Sequence, residues 1–584
     1  MNQLQPIWRN HESIAAAIKA KRIEAPKKLM DVIDAFKSLG FVHTRQTNYA
    51  AFSEHVGRLK DQGLEERFNA QIDDLARLGV IDTKLQGRIE SAKSDKRRIY
   101  DRFFVFWREA VKHLIDSSTF TFEDQKYFAF LHESKSIAEG SFLSGAAAYS
   151  HVLVDEFQDI NALDLNLLTT IVDRSGASLT VVGDDDQAIF EWRGASPEYI
   201  LQPDQFLGRS FSTFKTGVNY RSPANIVNCS QRLIRNNVRR VEKSIAAARD
   251  DDAQITVLPI SDYSQAVDVV DDLLAKARSG DETVAIIGRK RSQIIPFQVD
   301  FVSKGVDFCA AEDLQVFLSE TFDSLINLLD IKAKSGSDFA GSKSVTDALL
   351  LCSRVKRFPL SKSDKAALQM HLTQGRPKSL SEAADELRGY SGPLKGKKDG
   401  SNVALDMADA IKRFLACSGV AETLQSLGEN FQGLQKDFGK AEDDIFFADP
   451  PFGRLSEYAR RYGSDYERFI ADIEAARDEL VLMPTFHGDG GRALENAGVF
   501  GRPVHLMTAP RAKGREFDYV VLLDAIDGIW PIRKSDSTDA ELEAERRMFY
   551  VAFTRTRKEI VMLVNQSFGG KMVWQSPYIA ELGI

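Results

Sequence analysis

The sequence predicts an α/β protein in which short parallel strands carry the chemistry and long helical stretches separate them. Three observations lead there. Apolar runs such as His151–Val154 (HVLV) and Ser178–Val182 (SLTVV) end in acidic residues or Gly-Asp. A helix-patterned stretch, Ala162 to Arg174, joins those two runs, which is the arrangement of parallel strands buried in a sheet. Polar residue clusters follow the ends of the runs, where open parallel sheets place their chemistry.

Taken in order, Met1 to about Ser141 reads as mostly helical. In Arg98–Ile115, for example, Phe103, Phe106, Trp107, Val111 and Leu114 recur at helical spacing. The two strands described above come next. A second α/β pattern begins after Tyr220, with candidate strands Ile255–Leu258, Val284–Ile287, Val504–Met507, Tyr519–Leu523 and Ile560–Val564. Between about Val316 and Gly501 a helix-rich stretch interrupts it, and within that stretch Gly392–Gly400 (GPLKGKKDG) reads as an exposed loop.

The totals set bounds. A chain of 584 residues exceeds what one hydrophobic core can organise, so several domains are expected. Composition is that of a globular protein, with 43% hydrophobic and 27% charged residues. No apolar run reaches the ~20 residues needed to cross a bilayer, and Met1–Asn10 lacks the pattern of a secretory signal. A cytoplasmic protein without membrane attachment is expected. Cys229, Cys309, Cys352 and Cys417 are scattered without metal-binding spacing, so reduced, mostly buried thiols are expected. A net charge of −8 excludes a surface coated in positive charge but not a local basic groove. Lys96-Arg97-Arg98 and Arg235 with Arg239-Arg240 are candidates for phosphate contact, with a solvated helix face as the alternative.

The motifs carry the function. Val152–Asp159 (VLVDEFQD) is an apolar strand running into two adjacent carboxylates. A nucleotide hydrolase needs one carboxylate to hold Mg²⁺ and another to orient or deprotonate water. Gly183–Ala195 (GDDDQAIFEWRGA) follows. Its glutamine can bond both phosphate and water, and Phe190 and Trp192 offer flat faces for unpaired bases.

These two stretches resemble motifs II and III of the UvrD/Rep/PcrA helicase family. Asn219-Tyr220-Arg221-Ser222 resembles motif IV, and Val284–Gln293 the strand and arginine beyond it. Met507–Phe517 (MTAPRAKGREF) resembles motif V and Glu545–Arg555 (ERRMFYVAFTR) motif VI. The resemblance implies two RecA-like parallel-sheet motor domains with helical insertion subdomains. The expected boundaries are 1–115 (helical insertion of the first motor), 116–215 (remainder of that motor), 216–315 (second motor, first part), 316–500 (helical insertion) and 501–584 (second motor, last part).

Roles are implied residue by residue. Asp155 would hold Mg²⁺ and Glu156 would activate water. Gln187 would couple nucleotide state to DNA grip, and Arg221 and Arg555 would act as arginine fingers on the γ-phosphate of ATP. Gly514 and Glu516 would contact the nucleotide, Glu516 through the ribose hydroxyls. Phe190, Trp192, Arg193, Thr508 and Arg511 would contact DNA. Closure of the two motors on ATP would drive 3′ to 5′ movement on single-stranded DNA and at junctions with duplex.

Two departures stand against this. The family's phosphate-cradling loop, G-x-x-x-x-G-K-[ST], does not occur, and neither does the adenine-contacting glutamine motif. Gly392–Lys398 and Gly433–Ala441 imitate the loop with the wrong spacing and no Ser/Thr. Phe120–Asp124 resembles a family stretch shortly before motif II, so the chain is expected to begin partway into the family. That predicts a first motor lacking its opening strands, with a sheet edge and apolar surface uncovered. Such a chain would be a fragment or a split subunit needing another chain to supply the loop; the alternative is a non-hydrolysing DNA-binding or regulatory protein. In motif V, Pro510 and Arg511 stand where His and Ser are common, which puts one phosphate contact in question.

Overall fold

The computed structural model describes residues 149–278, 282–310, 320–335, 341–354, 361–392, 394, 403–430, 451–482, 504–533, 537–568 and 571–584, with isolated positions before Tyr149. The expected helix Arg98–Ile115, the Phe120–Asp124 stretch, Lys96-Arg97-Arg98 and most of the Gly392–Gly400 loop lie outside the described residues. Two compact units divide the chain: residues 1–215 with 239–242, and residues 216–238 with 243–584.

In the first unit, β1 (His151–Val154) and β2 (Ser178–Val181) pair in parallel, His151 opposite Ser178 through Val154 opposite Val181. Between them runs α1 (Ala162–Ser175). Asn161 starts this helix with a capping box: its side chain accepts from the Leu163 and Asp164 N–H groups, and Asp164 accepts from the Asn161 N–H. Such caps contribute about 1 kcal/mol. Gly176 ends the helix in the left-handed region at φ 65°.

The expected burial of β1 and β2 is not met. Their residues alternate exposed and half-buried, and Leu153 is 65% exposed. Among the described residues these strands pair only with each other, so little covers their outer faces.

The second unit centres on a six-stranded sheet in the order β5-β10-β9-β6-β8-β7, with every neighbouring pair parallel. These strands are β5 (Gln254–Ile260), β6 (Val284–Gly288), β7 (Cys309–Ala310), β8 (Val504–Thr508), β9 (Phe517–Leu522) and β10 (Thr556–Asn565). β6 and β8 are buried at every position, which is why VAIIG reads as an unbroken apolar run and VHLMT as one interrupted only by His505 and Thr508 rather than alternating. A short parallel pair, β3 (Val218–Asn219) with β4 (Ala246–Ala247), brackets α2 (Ala224–Ile234).

α3 (Tyr263–Arg278) and α4 (Ile295–Lys304) follow β5 and β6. The insertion is helical throughout its described residues, from Glu320–Lys334 to α5 (Pro451–Tyr458) and α6 (Tyr466–Leu482). One continuous core joins it to the sheet, running from Val284, Ile286 and Leu506 to Phe297, Leu455, Phe469 and Ile473. A buried ion pair crosses the same seam, Arg454 Nη2 to Asp524 at 3.0 Å. Asp524 follows β9 at φ 47° and also accepts from Tyr263 Oη (2.9 Å) and Gln293 Nε2 (2.6 Å).

No described helix is long and apolar enough to cross a membrane. Cys229, Cys309 and Cys417 are buried free thiols, as expected.

Candidate nucleotide and nucleic-acid sites

β1 delivers its two carboxylates through a sharp turn. Glu156 sits in the left-handed region at φ 51°, and its N–H donates to Asp155 Oδ1 at 2.8 Å. A non-glycine residue there costs of order 1 kcal/mol or more, the kind of local strain found at functional sites. Phe157 anchors the turn: its side chain is buried and its N–H donates to Val182 O at 2.9 Å. Asp155 and Glu156 are consequently left exposed, side by side at the strand end.

A side-chain relay runs from there into the second motif. Gln158 Nε2 donates to Glu156 Oε2 at 2.5 Å, and the Asp184 N–H donates to Gln158 Oε1 at 3.0 Å. Asp184 Oδ2 then accepts from Gln187 Nε2 at 2.7 Å, while Oδ1 accepts from the Asp186 N–H at 3.2 Å. Sequence reasoning singled out Glu156 and Gln187 but missed Gln158 and Asp184, although both stand inside the quoted motifs.

Three and five residues beyond Gln187, Phe190 and Trp192 lie with ring centroids 6.4 Å apart and planes tilted by 54°. Arg193 places its guanidinium 5.1 Å from the Trp192 centroid and 5.8 Å from that of Phe190. Trp192 is 56% exposed, so its ring is not part of the core.

The basic cluster Arg239-Arg240 belongs to neither alternative stated for it. Arg240 makes two bonds to the buried Asp186 carboxylate (3.0 and 2.8 Å), and Arg239 pairs with Glu191 at 3.5 Å. The Val241 N–H donates to Asp185 Oδ2 at 2.8 Å. The acidic run of the second motif attracts these arginines because Asp185 and Asp186, once buried, require partners.

In the second unit Tyr220 and Arg221 lie just past β3. Asn219 Oδ1 accepts from the Arg221 and Ser222 N–H groups (2.9 Å each), an Asx-type turn that fixes the backbone. Tyr220 is 78% exposed. Arg221 Nε lies 3.1 Å from Glu516, and Arg557 reaches the same carboxylate at 3.2 Å. Arg249 donates to Arg221 O at 2.9 Å. Tyr220, quoted within motif IV, was given no role from the sequence, and Arg249 and Arg557 were not singled out; their only signal was proximity to motifs IV and VI.

Arg555 is placed differently from Arg221. Its guanidinium is buried and donates to Val551 O (2.8 Å), Arg515 O (3.1 Å) and Thr554 Oγ1 (3.2 Å). In this state it fastens the junction of α8 (Asp539–Phe553) and β10. Thr508 is also buried, at the start of α7 (Ala509–Ala512), while Arg511 is half-buried on that helix. Pro510 falls in the first turn of α7, where a backbone N–H has no intrahelical partner, so it sacrifices no helix bond. Burial holds the Arg515 guanidinium below its ordinary value, with the like charge of Arg511 adding to the effect. Gly514 adopts φ 79°, the left-handed turn that leads into Glu516. The arginine after β6, Arg289, is structural: it is buried and forms a two-bond pair with Glu545, whose Oε2 also accepts the Ile532 N–H.

Two parallel-sheet units bearing these ordered motifs define the protein class, and comparison with known proteins agrees. Residues 12–207 match the UvrD/REP helicase N-terminal domain, and residues 214–353 and 491–567 match the UvrD-like helicase C-terminal domain. The chain belongs to the UvrD/Rep helicase family. It is 25% identical over 548 residues to YjcD of Bacillus subtilis, which bears the name of an ATP-dependent DNA helicase, across 90% of this chain and 65% of that protein. Against DNA helicase II of Escherichia coli the identity is 25% over 458 residues, covering 74% of this chain and 59% of the relative. Against that of Haemophilus influenzae it is 24% over 447 residues, covering 72% and 55%. The matches thus span 55–65% of the length of these relatives.

Proposed function

We propose that this chain carries the water-activating and DNA-gripping parts of an ATP-dependent translocase that moves 3′ to 5′ on single-stranded DNA and at its junctions with duplex. The observation behind this reading is the continuous relay from Glu156 to Gln187, close in sequence to an exposed Trp192 platform. Glu156 is assigned as the base that accepts a proton from the attacking water. Gln187 is assigned as the group that senses the phosphates. Phe190, Trp192 and Arg193 stack on bases, each stacked base contributing about 1–3 kcal/mol.

Asp155 fits a Mg²⁺ shared with a phosphate-bearing substrate. It is exposed, one oxygen is already steadied by the Glu156 N–H, and no described group of three or more His, Cys, Asp or Glu side chains competes as a self-contained metal site. When bound, the cation would neutralise charge on the phosphates. Among the arginines, Arg221 is the exposed candidate for the γ-phosphate. Arg555 can take that role only by exchanging its three internal bonds. Glu516, Gly514 and the exposed ring of Tyr220 are assigned to the nucleoside, and Thr508 and Arg511 to DNA phosphates.

One observation favours a second reading, a DNA-binding protein that does not hydrolyse ATP: the 584 residues contain no G-x-x-x-x-G-K-[ST] sequence. Without a backbone nest and lysine the β- and γ-phosphates are poorly held. The deciding experiment is ATP hydrolysis by the purified chain with and without single-stranded DNA, with Glu156→Gln as the blank. DNA-stimulated turnover lost in the variant supports the motor reading for this chain alone. No turnover together with salt-sensitive DNA binding supports the second reading, or a motor whose phosphate loop is supplied separately.

A further inference from the structure

We infer that Gln158 is a positioning residue: it aims Glu156 and ties that carboxylate mechanically to the turn carrying Gln187 and the Trp192 platform. The inference rests on the assignment of Glu156 and Gln187 made above, but its test does not require catalysis.

Gln158 is buried, and a buried amide must have both its N–H and C=O satisfied. Here the two ends serve two different motifs. The N–H end holds Glu156 Oε2, and the C=O end receives the Asp184 N–H. Glu156 sits in the left-handed region with an exposed side chain, and the bond from Gln158 holds one of its two carboxylate oxygens.

The space around Gln158 is closed. A Cβ on Gly183 would come within 2.3 Å of Gln158 Oε1, 2.7 Å of Ile200 Cδ1 and 3.1 Å of the Phe157 N. This explains the glycine at the head of the second motif: it admits the Gln158 amide between the two strand ends. Beyond Asp184, the Gln187 side chain and the Asp186 N–H are both held by the Asp184 carboxylate. Asp185 and Asp186 are held in turn by the Val241 N–H and Arg240. The turn therefore has few ways to give. A displacement at Glu156 passes through Gln158 to Asp184 and on to Trp192, five residues after Gln187.

The polarity of the relay supplies the test. Gln158→Glu keeps the shape and the acceptor for the Asp184 N–H but sets a second carboxylate against Glu156. The exchange Glu156→Gln/Gln158→Glu restores one donor and one acceptor with their places swapped. The readout is ¹⁹F NMR of the full chain labelled with fluorotryptophan. Its five tryptophans give five resonances, that of Trp192 being assigned with Trp192→Phe. Gln158→Glu is expected to move the Trp192 resonance and lower the thermal midpoint of the first unit, and the exchange to return both towards wild type. A resonance unmoved in Gln158→Glu, or equally displaced in the exchange, overturns the inference. Gln158→Met, uncharged and of equal length, guards against a charge-induced failure to fold: it removes both bonds, and an unmoved Trp192 resonance in it is also a refutation. None of these readings depends on ATP turnover. An absent ATPase with the NMR rescue intact would therefore count against this chain as a self-sufficient motor and leave the positioning role standing.

Discussion

Arg454→Met isolates the charge that holds the helical insertion to the second sheet. In the wild type the Arg454 and Asp524 side chains are both fully buried, 3.0 Å apart, with the guanidinium also 5.1 Å over the Tyr263 ring. Methionine fills similar space but leaves the Asp524 carboxylate buried without its cation. Removing one partner of such a pair typically costs about 3–5 kcal/mol. Asp524 keeps its bonds from Tyr263 Oη and Gln293 Nε2, and hydrogen bonds to a charged group contribute about 1.5–3 kcal/mol each. The expected loss therefore sits at the lower end, about 3 kcal/mol, or roughly two decades in the unfolding equilibrium. Urea unfolding followed by far-UV circular dichroism and Trp530 emission measures it. Trp530 is buried, and its Nε1 donates to Leu523 O, next to Asp524. Adding Asp524→Asn should recover part of the loss, since asparagine tolerates the φ of 47° and removes the buried carboxylate at 524, while Glu457, 3.2 Å from Arg454 in the wild type, still lacks its cation. A single variant within about 1 kcal/mol of wild type at unchanged slope would refute the reasoning, because it would mean that the carboxylate reaches water or that another cation replaces Arg454.

Further outcomes follow from the same structure. Burial raises the Glu457 carboxyl to about 7 despite the nearby Arg454. The folded state therefore holds a proton that the unfolded state releases near its ordinary value, and stability should fall as pH rises from about 4.5 to 7. Glu457→Gln should flatten that slope in pH-dependent urea titrations. Gly183→Ala must displace Gln158, with overpacking of about 1–3 kcal/mol and about 1 kcal/mol per lost bond. A first-unit melting midpoint equal to wild type would contradict it. Trp192→Ala should weaken single-stranded DNA binding by about 1–3 kcal/mol, some 5- to 150-fold, in fluorescence anisotropy at fixed salt. Arg221→Ala should impair nucleotide binding or turnover with little change in melting midpoint, whereas Arg555→Ala, at a buried guanidinium, should chiefly lower stability, as differential scanning calorimetry would show.

Local pattern determined a great deal. Every strand expected from an apolar run appears, and α1 begins where the Asn161 cap was available to start it. Strand and helix periodicity, turn residues and motif strings are properties of neighbouring residues, so one sequence carries them. The order of the motifs was also enough to recognise the family. The acidic and aromatic residues of the first unit lie in the sequence order in which the fold uses them, one turn after another.

Tertiary structure decided the rest, because partners far apart in the chain choose each other only after packing. Arg240 reads as a DNA-contact candidate until folding sets it against Asp186, 54 positions earlier. Arg555 reads as a free finger until Val551, Arg515 and Thr554 take up its guanidinium. Gln158 is an ordinary polar residue in a motif until the parallel register of β1 and β2 brings the Gly183-Asp184 corner beside it. The strands of the first unit read as buried because their composition is apolar, yet burial depends on what packs against a face, and sequence periodicity cannot report that. Sequence determined which residues could do the chemistry; the fold decided which of them face solvent, because charge and hydrogen-bond demands are settled by the nearest partner in space.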